Sequence, residues 1–379
     1  MINNRTKLPM RRLSAERQLI AGPTQTWSYA HHAALAFFQD RLYAIWSSSR
    51  RNEDDCGQRV MLSTSTDFSH WTPPCPLLDS RPGEHSDLVL TAGGLYVHAG
   101  ALRAYFGQYE YPPSCLREGP LPTGGRGMLR PEAENDPGHL HTEMGVLSTR
   151  DGEHWSAPRL LGVPVVPNHG PQATLSGRLI IAGGAMYPYT DDPDGENGFV
   201  LAGIYGDAFG DQPPYDDSAA IEKVTKARGW KAPLLCEGSF FQTDDGVIHM
   251  MLRSNSSVLW CTESRDGGAS YGEPYPTEFT DDKSKFHFGR LPDGRFYAVS
   301  NPVTGGGRNP LVLSLSEDGE NFDVSYILRD EPYERQYAGM YKGGLYGYPH
   351  SILAGGYLYV IYSKRKEAIE ITRVPLSAL

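Results

Sequence analysis

The feature that most constrains the fold is a repeated pair of strands joined by a tight turn. Each copy has an apolar first strand, a turn built from residues typical of hairpins, and an alternating second strand. The six copies are Ala33–Phe38 with Leu42–Trp46, Leu88–Thr91 with Leu95–His98, Gln172–Leu175 with Leu179–Ala182, Ser239–Gln242 with Val247–Leu252, Phe286–Leu291 with Phe296–Ser300, and Ser351–Leu353 with Tyr357–Tyr362. Their spacing of roughly fifty residues is typical of propeller blades. The sequence therefore predicts an all-β fold with one β-propeller over residues 1–379.

The ends of the chain and two irregular stretches complete this prediction. The C-terminal strand Ile369–Val374 is expected to pair with an N-terminal strand near Arg17–Ile20 and so to close the ring. The repeat is interrupted near residues 107–141 and 187–198, which we interpret as loop insertions, with an irregular blade as the alternative for the first. Aspartates 191, 192 and 194 in the second insertion could hold a structural calcium ion, or could belong to a solvated loop. No cofactor is expected to be required.

A second motif follows four of the hairpins and has a serine, an aspartate and an aromatic residue at fixed offsets. The copies are Ser65–Trp71, Ser148–Trp155, Ser264–Tyr271 and Ser316–Phe322. They resemble the Asp boxes of the sialidase superfamily, which lie in the turn between the third and fourth strands of a blade. Aspartate and serine can close such a turn by accepting backbone hydrogen bonds. We expect these motifs to brace turns rather than to take part in catalysis.

Composition excludes several classes of partner. The formal net charge of −10 gives no basic surface for nucleic acid or for an anionic membrane. No segment has the length of apolar residues needed to span a bilayer, and the five cysteines lack CxxC spacing, so we expect reduced thiols. We predict a monomer that is cytoplasmic as given, and secreted or periplasmic if a signal peptide has been removed.

Ionisable residues recur where the first strands begin. Counting back eight or nine residues from the start of each second strand reaches His32, His85, His169, Glu237 and Lys285, and the shorter sixth copy offers Tyr348 and His350. First strands line the axis of a propeller, so these side chains should converge. Histidine suits proton transfer near neutral pH. Because neighbouring strand residues point to opposite sides, His32 should face the axis and His31 the sheet packing.

The ends of second strands and the starts of third strands should add an arginine-rich rim on the same face. Guanidinium groups pair with carboxylates in two-point geometry, which favours an anionic oligosaccharide or polysaccharide as substrate. The candidate catalytic residues are His32, His85, His169 and Tyr348. The candidate substrate-binding residues are Arg59, Glu237, Arg253, Lys285, His287, Asn301, Arg308 and His350. No metal site is predicted, because metal-ligand spacing such as HExxH is missing.

Several segments resemble a known propeller family over nearly the whole chain. The segments are His31-His32, Gly57–Val60, His169–Pro171, Glu237–Phe241, Ser284–Phe286, Pro310–Ser316 and Tyr348–His350. They are similar to the family of L-rhamnose–glucuronate lyases and related α-L-rhamnosidases. The resemblance implies seven blades, whereas six hairpins are counted, and an axial active site that uses a histidine of the His31-His32 pair.

Three functions are compatible with these residues. The first is a lyase that cleaves a rhamnose–glucuronate type linkage of a uronic-acid-containing glycan by β-elimination. In that reaction Arg253 or Arg59 would neutralise the carboxylate. His32 or His85 would remove the C5 proton. His169 or Tyr348 would protonate the departing oxygen.

The second function is an exo-acting glycoside hydrolase, similar to a sialidase or a rhamnosidase. In a sialidase-like site three arginines would hold the carboxylate, and a tyrosine paired with a glutamate would be the nucleophile. Arg59, Arg253 and Arg308 could supply the clamp, and Tyr348 and Glu237 the pair. The third function is a propeller that binds a glycan without catalysis.

Overall fold

The computed structural model describes residues 1–4, 9–116, 139–204, 225–229 and 231–379, and these residues form six β-sheets. The first two strands, β1 (Arg11–Arg12) and β2 (Glu16–Ala21), precede the repeats. The other strands are β3 (Tyr29–Phe38), β4 (Arg41–Ser49), β5 (Arg59–Ser65), β6 (Cys75–Leu78), β7 (Val89–His98), β8 (Ala101–Glu110), β9 (Leu140–Thr149), β10 (Arg159–Val163), β11 (Gln172–Ala173), β12 (Leu179–Ile180), β13 (Tyr189–Thr190), β14 (Leu235–Gln242), β15 (Ile248–Ser254), β16 (Val258–Ser264), β17 (Tyr275–Thr280), β18 (His287–Arg290), β19 (Phe296–Ser300), β20 (Leu311–Ser316), β21 (Val324–Arg329), β22 (Tyr346–Ala354), β23 (Tyr357–Lys364) and β24 (Ala368–Pro375).

Each sheet is one blade built from consecutive strands. Blades one to four are β3 to β6, β7 to β10, β11 to β13, and β14 to β17. Blade five is β18 to β21, with β1 added in parallel to β21 at its outer edge. Blade six is β22 to β24, and its outer strand is the N-terminal β2. Short 3-10 helices at Pro113–Cys115 and Leu376–Ala378 lie outside the sheets, and no helix in the described segments is long and apolar enough to cross a membrane.

Apolar packing between neighbouring blades closes the ring. A separate buried cluster lies between each pair of adjacent blades, including the pair formed by the sixth and the first. That last cluster joins Ile361 and Ile371 of blade six to Leu35 and Trp46 of blade one. Burial of apolar area on both faces of every sheet explains why the strands carry few polar side chains toward their neighbours.

The all-β propeller predicted from the repeats is confirmed, as is ring closure by the N-terminal strand. The six sheets of the described residues match the six hairpins, and these residues contain no seventh sheet. The segment between β8 and β9 connects neighbouring strands of blade two, since Glu110 pairs with Leu140. It is therefore narrower than the predicted 107–141, and residues 117–138 lie outside the described part of the chain.

The second hairpin is predicted wrongly. Residues Val89–Thr91 and Leu95–His98, which the prediction placed in two strands, belong to one strand, β7, and the turn lies at Ala99-Gly100. Gly93-Gly94 looks like a turn in the sequence but forms a bulge, where the register with β8 shifts. A Cβ on Gly94 would lie 2.0 Å from the backbone nitrogen of Gly170, so glycine serves here for close approach of the next blade.

The predicted insertion at 187–198 also contains a strand. Tyr189–Thr190 is β13, and Tyr189 pairs again with Val200 across the following turn. The aspartates of this turn are already engaged with protein groups. Asp191 pairs with Arg178, Asp194 pairs with Arg103, and Asp192 accepts hydrogen bonds from backbone N–H groups.

The four Asp boxes lie between third and fourth strands, as their resemblance implied. In the first, the carboxylate of Asp67 accepts hydrogen bonds from the backbone N–H groups of Ser69 and His70. Asp151, Asp266 and Asp318 make equivalent bonds in blades two, four and five. These contacts show the aspartates bracing turns, which is the role expected from the sequence.

Candidate active site

Three side chains of the site stand on bulges in innermost strands. In each of β3, β14 and β22, the register of pairing with the second strand of the blade shifts once. The residues at these shifts are His32, Glu237 and Tyr348, each with a left-handed backbone at φ values of 51°, 35° and 57°. Bulges re-aim side chains, and backbone strain of this kind is found at functional sites. Equivalent bulges in blades one, four and six therefore turn a histidine, a glutamate and a tyrosine toward a common point.

Tyr348 is the centre of this group. The guanidinium of Arg253 donates a hydrogen bond of 2.7 Å to the Tyr348 hydroxyl and pairs with the Glu237 carboxylate. The neighbouring Tyr348 hydroxyl also favours the ionised form of Glu237 and lowers the pKa of that carboxyl. Burial raises the pKa of Tyr348 well above its usual value, so the phenol holds its proton in the free protein. Burial also opposes ionisation of Glu237, but Arg253 outweighs it and holds the pKa of that carboxyl at about 2.

Three further cations surround the Tyr348 ring. The distances from its centroid are 5.4 Å to the Arg308 guanidinium carbon, 5.1 Å to the Lys285 ammonium and 5.8 Å to the Lys366 ammonium. Lys366 pairs with Glu53, but no described carboxylate lies within ion-pair distance of Arg308 or Lys285. Arg308 has a buried Nη1 without a hydrogen-bond partner, and the Lys285 ammonium donates to the carbonyl of Asn168 at 2.7 Å. Two cations beside the ring are thus left without a described carboxylate partner.

Burial lowers the pKa of Lys285 to about 8, and Glu237 limits the fall. The ammonium is therefore mostly charged at neutral pH. Buried charges in proteins are nearly always paired, so the buried Lys285 ammonium and the partly buried Arg308 beside it, with no described carboxylate partner, mark a place for an anionic group from outside.

Both histidines of the His31-His32 pair contact Tyr348, with ring centroids 4.0 Å and 5.3 Å from its ring. As expected, His31 turns into the packing between blades one and six, but the bulge at His32 interrupts the alternation and His31 also contacts the Tyr348 ring. His31 is fully buried and its Nδ1 lies 2.6 Å from the hydroxyl of Ser363, whereas His32 keeps 14% of its side chain exposed. Burial lowers the pKa of both rings well below the usual value, so both are neutral.

His169, His287 and His350 form a second group around the axis. Ring centroids are 4.9 Å apart for His169 and His287, 5.8 Å for His169 and His350, and 4.6 Å for His287 and His350. Burial lowers the pKa of all three rings, that of His287 to about 3. Lys285, two residues before His287, lies between this trio and the group around Tyr348.

Three predicted residues have other surroundings. Arg59 lies over the Trp27 ring at 3.5 Å and pairs with Asp79, with no contact to Tyr348 among the described residues. Asn301 is buried and donates to the carbonyls of Arg308 and Pro310, so it supports the loop that carries Arg308. His85 lies 3.9 Å from Glu84, and the structure places it in no contact with the Tyr348 group.

The register used to select His85 explains its different position. In the sequence His85 lies nine residues before Gly94, but Gly94 belongs to the first strand of blade two and not to the start of the second. His85 therefore lies before the first residue of β7, Val89, whereas His32 lies inside β3. It lies beside Glu84, near the buried carboxylate of Glu110.

Sequence reasoning missed Glu53 and Lys366. The Glu53 carboxylate lies 3.8 Å from His31 and 4.0 Å from His32, accepts from the Tyr29 hydroxyl at 3.2 Å and pairs with Lys366. Both residues follow the end of a second strand by a few positions. Counting residues along strands gave no signal for them, because their placement depends on loop conformation.

Three groups of described side chains have the spacing of metal ligands. They are His169 with His287 and His350; His31 with His32 and Glu53; and Glu84 with Glu110 and His141. The second group lies among four cations, which disfavours a metal ion there. In the third, Glu110 already accepts hydrogen bonds from three backbone N–H groups, and the other two side chains are largely exposed.

Comparison with known families identifies the family of the chain. Residues 128–360 match the sequence profile described as a BNR repeat-like domain. The chain belongs to the BNR repeat-like domain family. A search of curated proteins finds no relative of this BNR-repeat chain. The likeness to rhamnose–glucuronate lyases and rhamnosidases stays a prediction.

Solved structures share the propeller of this BNR-repeat protein at low sequence identity. A Dyadobacter fermentans protein of unknown function superposes with a TM-score of 0.63 at 14% identity, covering 95% of this chain and 98% of the other. The intramolecular trans-sialidase from Ruminococcus gnavus gives 0.61 at 12% identity, with coverage of 95% and 97%. The NanB sialidase from Streptococcus pneumoniae gives 0.63 at 12% identity, with coverage of 96% and 71%. At such identities the likeness concerns the fold.

Proposed function

We propose that this protein cleaves glycans that carry a carboxylate sugar, by hydrolysis through a covalent intermediate on Tyr348. The observation that carries the proposal is that the Arg253 guanidinium donates to the Tyr348 hydroxyl and to the Glu237 carboxylate, and so holds the two side by side. A phenol next to a carboxylate acceptor is an activated nucleophile, since the proton has somewhere to go as the oxygen attacks. Several solved structures with the same fold are sialidases, which supports a carbohydrate substrate.

The carboxylate of the substrate is assigned to Arg308 and Lys285. Arg308 offers a buried Nη1 without a hydrogen-bond partner, and neither residue has a described carboxylate partner. A substrate carboxylate between them would neutralise charge that the fold leaves uncompensated and would fix the sugar over Tyr348. Arg59 is not part of this clamp, because it is engaged with Trp27 and Asp79.

The steps balance as a two-stage hydrolysis. The Tyr348 oxygen bonds to the anomeric carbon, the glycosidic bond breaks, Glu237 takes the phenol proton, and the departing oxygen takes a proton from water. In the second stage a water molecule attacks the anomeric carbon, the bond from that carbon to the Tyr348 oxygen breaks, and His32 accepts the proton of the water. Tyr348 regains its own proton from Glu237, and the proton on His32 neutralises the hydroxide left by the first stage, so that one water is consumed in all. His32 suits this role because it is neutral and partly exposed beside the ring.

β-Elimination at a rhamnose–glucuronate type linkage is the second candidate. The neutral His32 ring near Tyr348 favours it, since a neutral imidazole can remove the C5 proton while Arg253 or Arg308 offsets the carboxylate charge. Tyr348 would then protonate the departing oxygen. Both reactions need an anionic sugar, but they differ in the products.

Product masses separate the candidates. The protein is incubated with sialyl oligosaccharides, glucuronides and rhamnose-capped glucuronate oligosaccharides, and products are weighed and scanned in the ultraviolet. Hydrolysis gives two products whose masses sum to the substrate plus one water, with no new absorbance. Elimination gives masses that sum to the substrate and the absorbance of a 4,5-unsaturated uronate. Binding without either product would leave the glycan-binding propeller as the function and would contradict both candidates.

A further inference from the structure

The trio of His169, His287 and His350 has a spacing that suggests a zinc site. One ring nitrogen from each residue lies within 4.8 Å of one from each of the others. Three histidines with one open position are a frequent ligand set for zinc. Each ligand must, however, direct a lone pair at the metal, so the tautomers of the three rings decide what the trio can bind.

Neighbouring groups fix the tautomers of His169 and His350 in opposite ways. His169 Nε2 lies 3.0 Å from the carbonyl oxygen of Phe286, which can only accept, so Nε2 carries the proton and Nδ1 has the lone pair. That Nδ1 is buried and has no hydrogen-bond partner. His350 Nδ1 instead accepts from the backbone N–H of Leu35 at 3.2 Å. A neutral His350 ring therefore carries its proton on Nε2.

His287 has its tautomer set through a short chain of hydroxyls. The Ser351 hydroxyl donates to the Tyr297 hydroxyl at 3.2 Å, so its oxygen accepts from His287 Nδ1 at 2.7 Å. The Nε2 atom of His287 is then left with a lone pair. The trio consequently offers two acceptors and one donor.

This arrangement does not suit a metal cation. Only two of the three rings have a lone pair to give, and His350 could supply a third only by losing its bond with Leu35. The nearby Lys285 ammonium, without a described carboxylate partner, would also repel a dication. An anion fits no better, because two lone pairs would face it.

We propose that His169, His287 and His350 form a subsite for a hydroxyl group of the bound glycan. A hydroxyl can donate to His169 Nδ1 or His287 Nε2 while it accepts from His350 Nε2, so it matches both kinds of group at once. The buried Nδ1 of His169, without a partner in the free protein, would gain one. This inference rests on the proposed function, since it assigns part of the same substrate.

Position supports a role in the same site. Lys285 donates to the carbonyl of Asn168, the residue before His169, and its ammonium lies 5.1 Å from the Tyr348 ring centroid. His287 is two residues from Lys285 and is partly exposed, whereas His169 and His350 are almost fully buried. A sugar held at Tyr348 by its carboxylate can thus present a hydroxyl to the trio on the far side of Lys285.

The test uses His287→Phe, which keeps an aromatic ring and removes the acceptor, and His70→Phe as a control in an exposed Asp box on the outer part of blade one. With a glycan that the protein cleaves, His287→Phe is expected to raise KM about fivefold to tenfold with kcat within twofold of wild type. For the one singly deoxygenated analogue that lacks the bound hydroxyl, the wild type and His287→Phe should have the same KM. An equal effect on every analogue, or no effect on any, would overturn the subsite.

Binding separates failure of this inference from failure of the proposed reaction. Titration calorimetry with the Tyr348→Phe protein and rhamnose-capped glucuronate oligosaccharides needs no turnover. If the double variant Tyr348→Phe/His287→Phe binds the oligosaccharide more weakly than Tyr348→Phe alone, the subsite is supported even if hydrolysis is disproved. Equal binding by the two proteins, or no binding by either, would overturn the subsite. Stoichiometric Zn²⁺ binding that His287→Phe abolishes would also overturn it, because zinc requires the tautomers that the neighbours disfavour.

Discussion

Arg253 donates to the Tyr348 hydroxyl across 2.7 Å while it also pairs with Glu237, so one guanidinium fixes both the phenol and its proton acceptor. Tyr348→Phe removes the hydroxyl and keeps the ring against His31. We expect kcat to fall by at least about a thousandfold, as for loss of a nucleophile, with KM changed little. Steady-state kinetics with the cleaved glycan check this, and thermal unfolding shows that the variant is folded. Retention of more than a tenth of wild-type kcat would exclude Tyr348 as nucleophile.

Glu237→Gln keeps the shape of the side chain but removes the proton acceptor and the partner of Arg253. We expect kcat to fall by about 10²–10⁴-fold, the range for general bases. Breaking a buried ion pair from one side also costs about 3–5 kcal/mol when the remaining charge is fully buried, and less here because Arg253 is 23% exposed. Denaturant unfolding measures this loss. In the comparison variant Asp244→Asn, a carboxylate that is 79% exposed and pairs with Arg290 in the turn between β14 and β15, both effects should be absent.

Lys285 predicts a pH dependence of substrate binding. Its pKa is lowered to about 8 by burial, so the ammonium is charged below pH 8 and loses its proton above it. An anionic substrate should therefore bind more weakly as pH rises through 8, and KM should increase while kcat follows other groups. Lys285→Met should raise KM at pH 7 and remove this rise. A KM that stays constant between pH 7 and 9 in the wild type would contradict the assignment.

Asp281 predicts a pH dependence of stability. It is buried, one of its carboxylate oxygens has no hydrogen-bond partner, and burial raises its pKa to about 7. Because the folded state binds this proton more tightly than the unfolded state, its contribution to stability is present below pH 4 and is lost as pH rises to 7. At pH 8 we expect the free energy of unfolding of Asp281→Asn, measured in denaturant, to exceed that of the wild type by on the order of 2 kcal/mol. At pH 4 the two proteins should differ little. Equal stability of the two proteins at pH 8 would show that the carboxylate is compensated.

Repetition of the sequence was enough to predict the propeller and most of its axial residues. A turn of Asp-Gly or Gly-Gly type between alternating strands specifies a hairpin, and equal strand lengths place the same position of each blade at the axis. His169, Glu237, Lys285 and Tyr348 were found in this way. The contacts of Glu53 and Lys366 depend on loops, whose conformation is not encoded by strand periodicity.

Bulges explain both a contact that the alternation of strand residues did not predict and the wrong second hairpin. At His32 a bulge breaks the alternation of the strand, so His31 also contacts Tyr348. At Gly93-Gly94 a bulge has the composition of a turn, and reading it as one shifted the count that selected His85. A bulge adds one residue to one strand, and its sequence signature overlaps that of turns, so pattern alone does not distinguish them.

The bulge at Gly94 makes a prediction that separates backbone conformation from close packing. Gly94 and Gly100 both have positive φ, at 122° and 71°, but a Cβ on Gly94 would lie 2.0 Å from the Gly170 nitrogen, whereas nothing lies within 4 Å of one on Gly100. Gly100→Ala should cost about 1 kcal/mol from conformation alone.

Gly94→Ala should cost several times more, because the backbone of blade three cannot move away without disturbing His169, which follows Asn168 into the axis. Urea unfolding of both variants measures the difference in the free energy of unfolding. Similar values for the two would mean that blades two and three separate easily at this point, and the position of His169 would then depend on contacts other than the approach of Gly170 to Gly94.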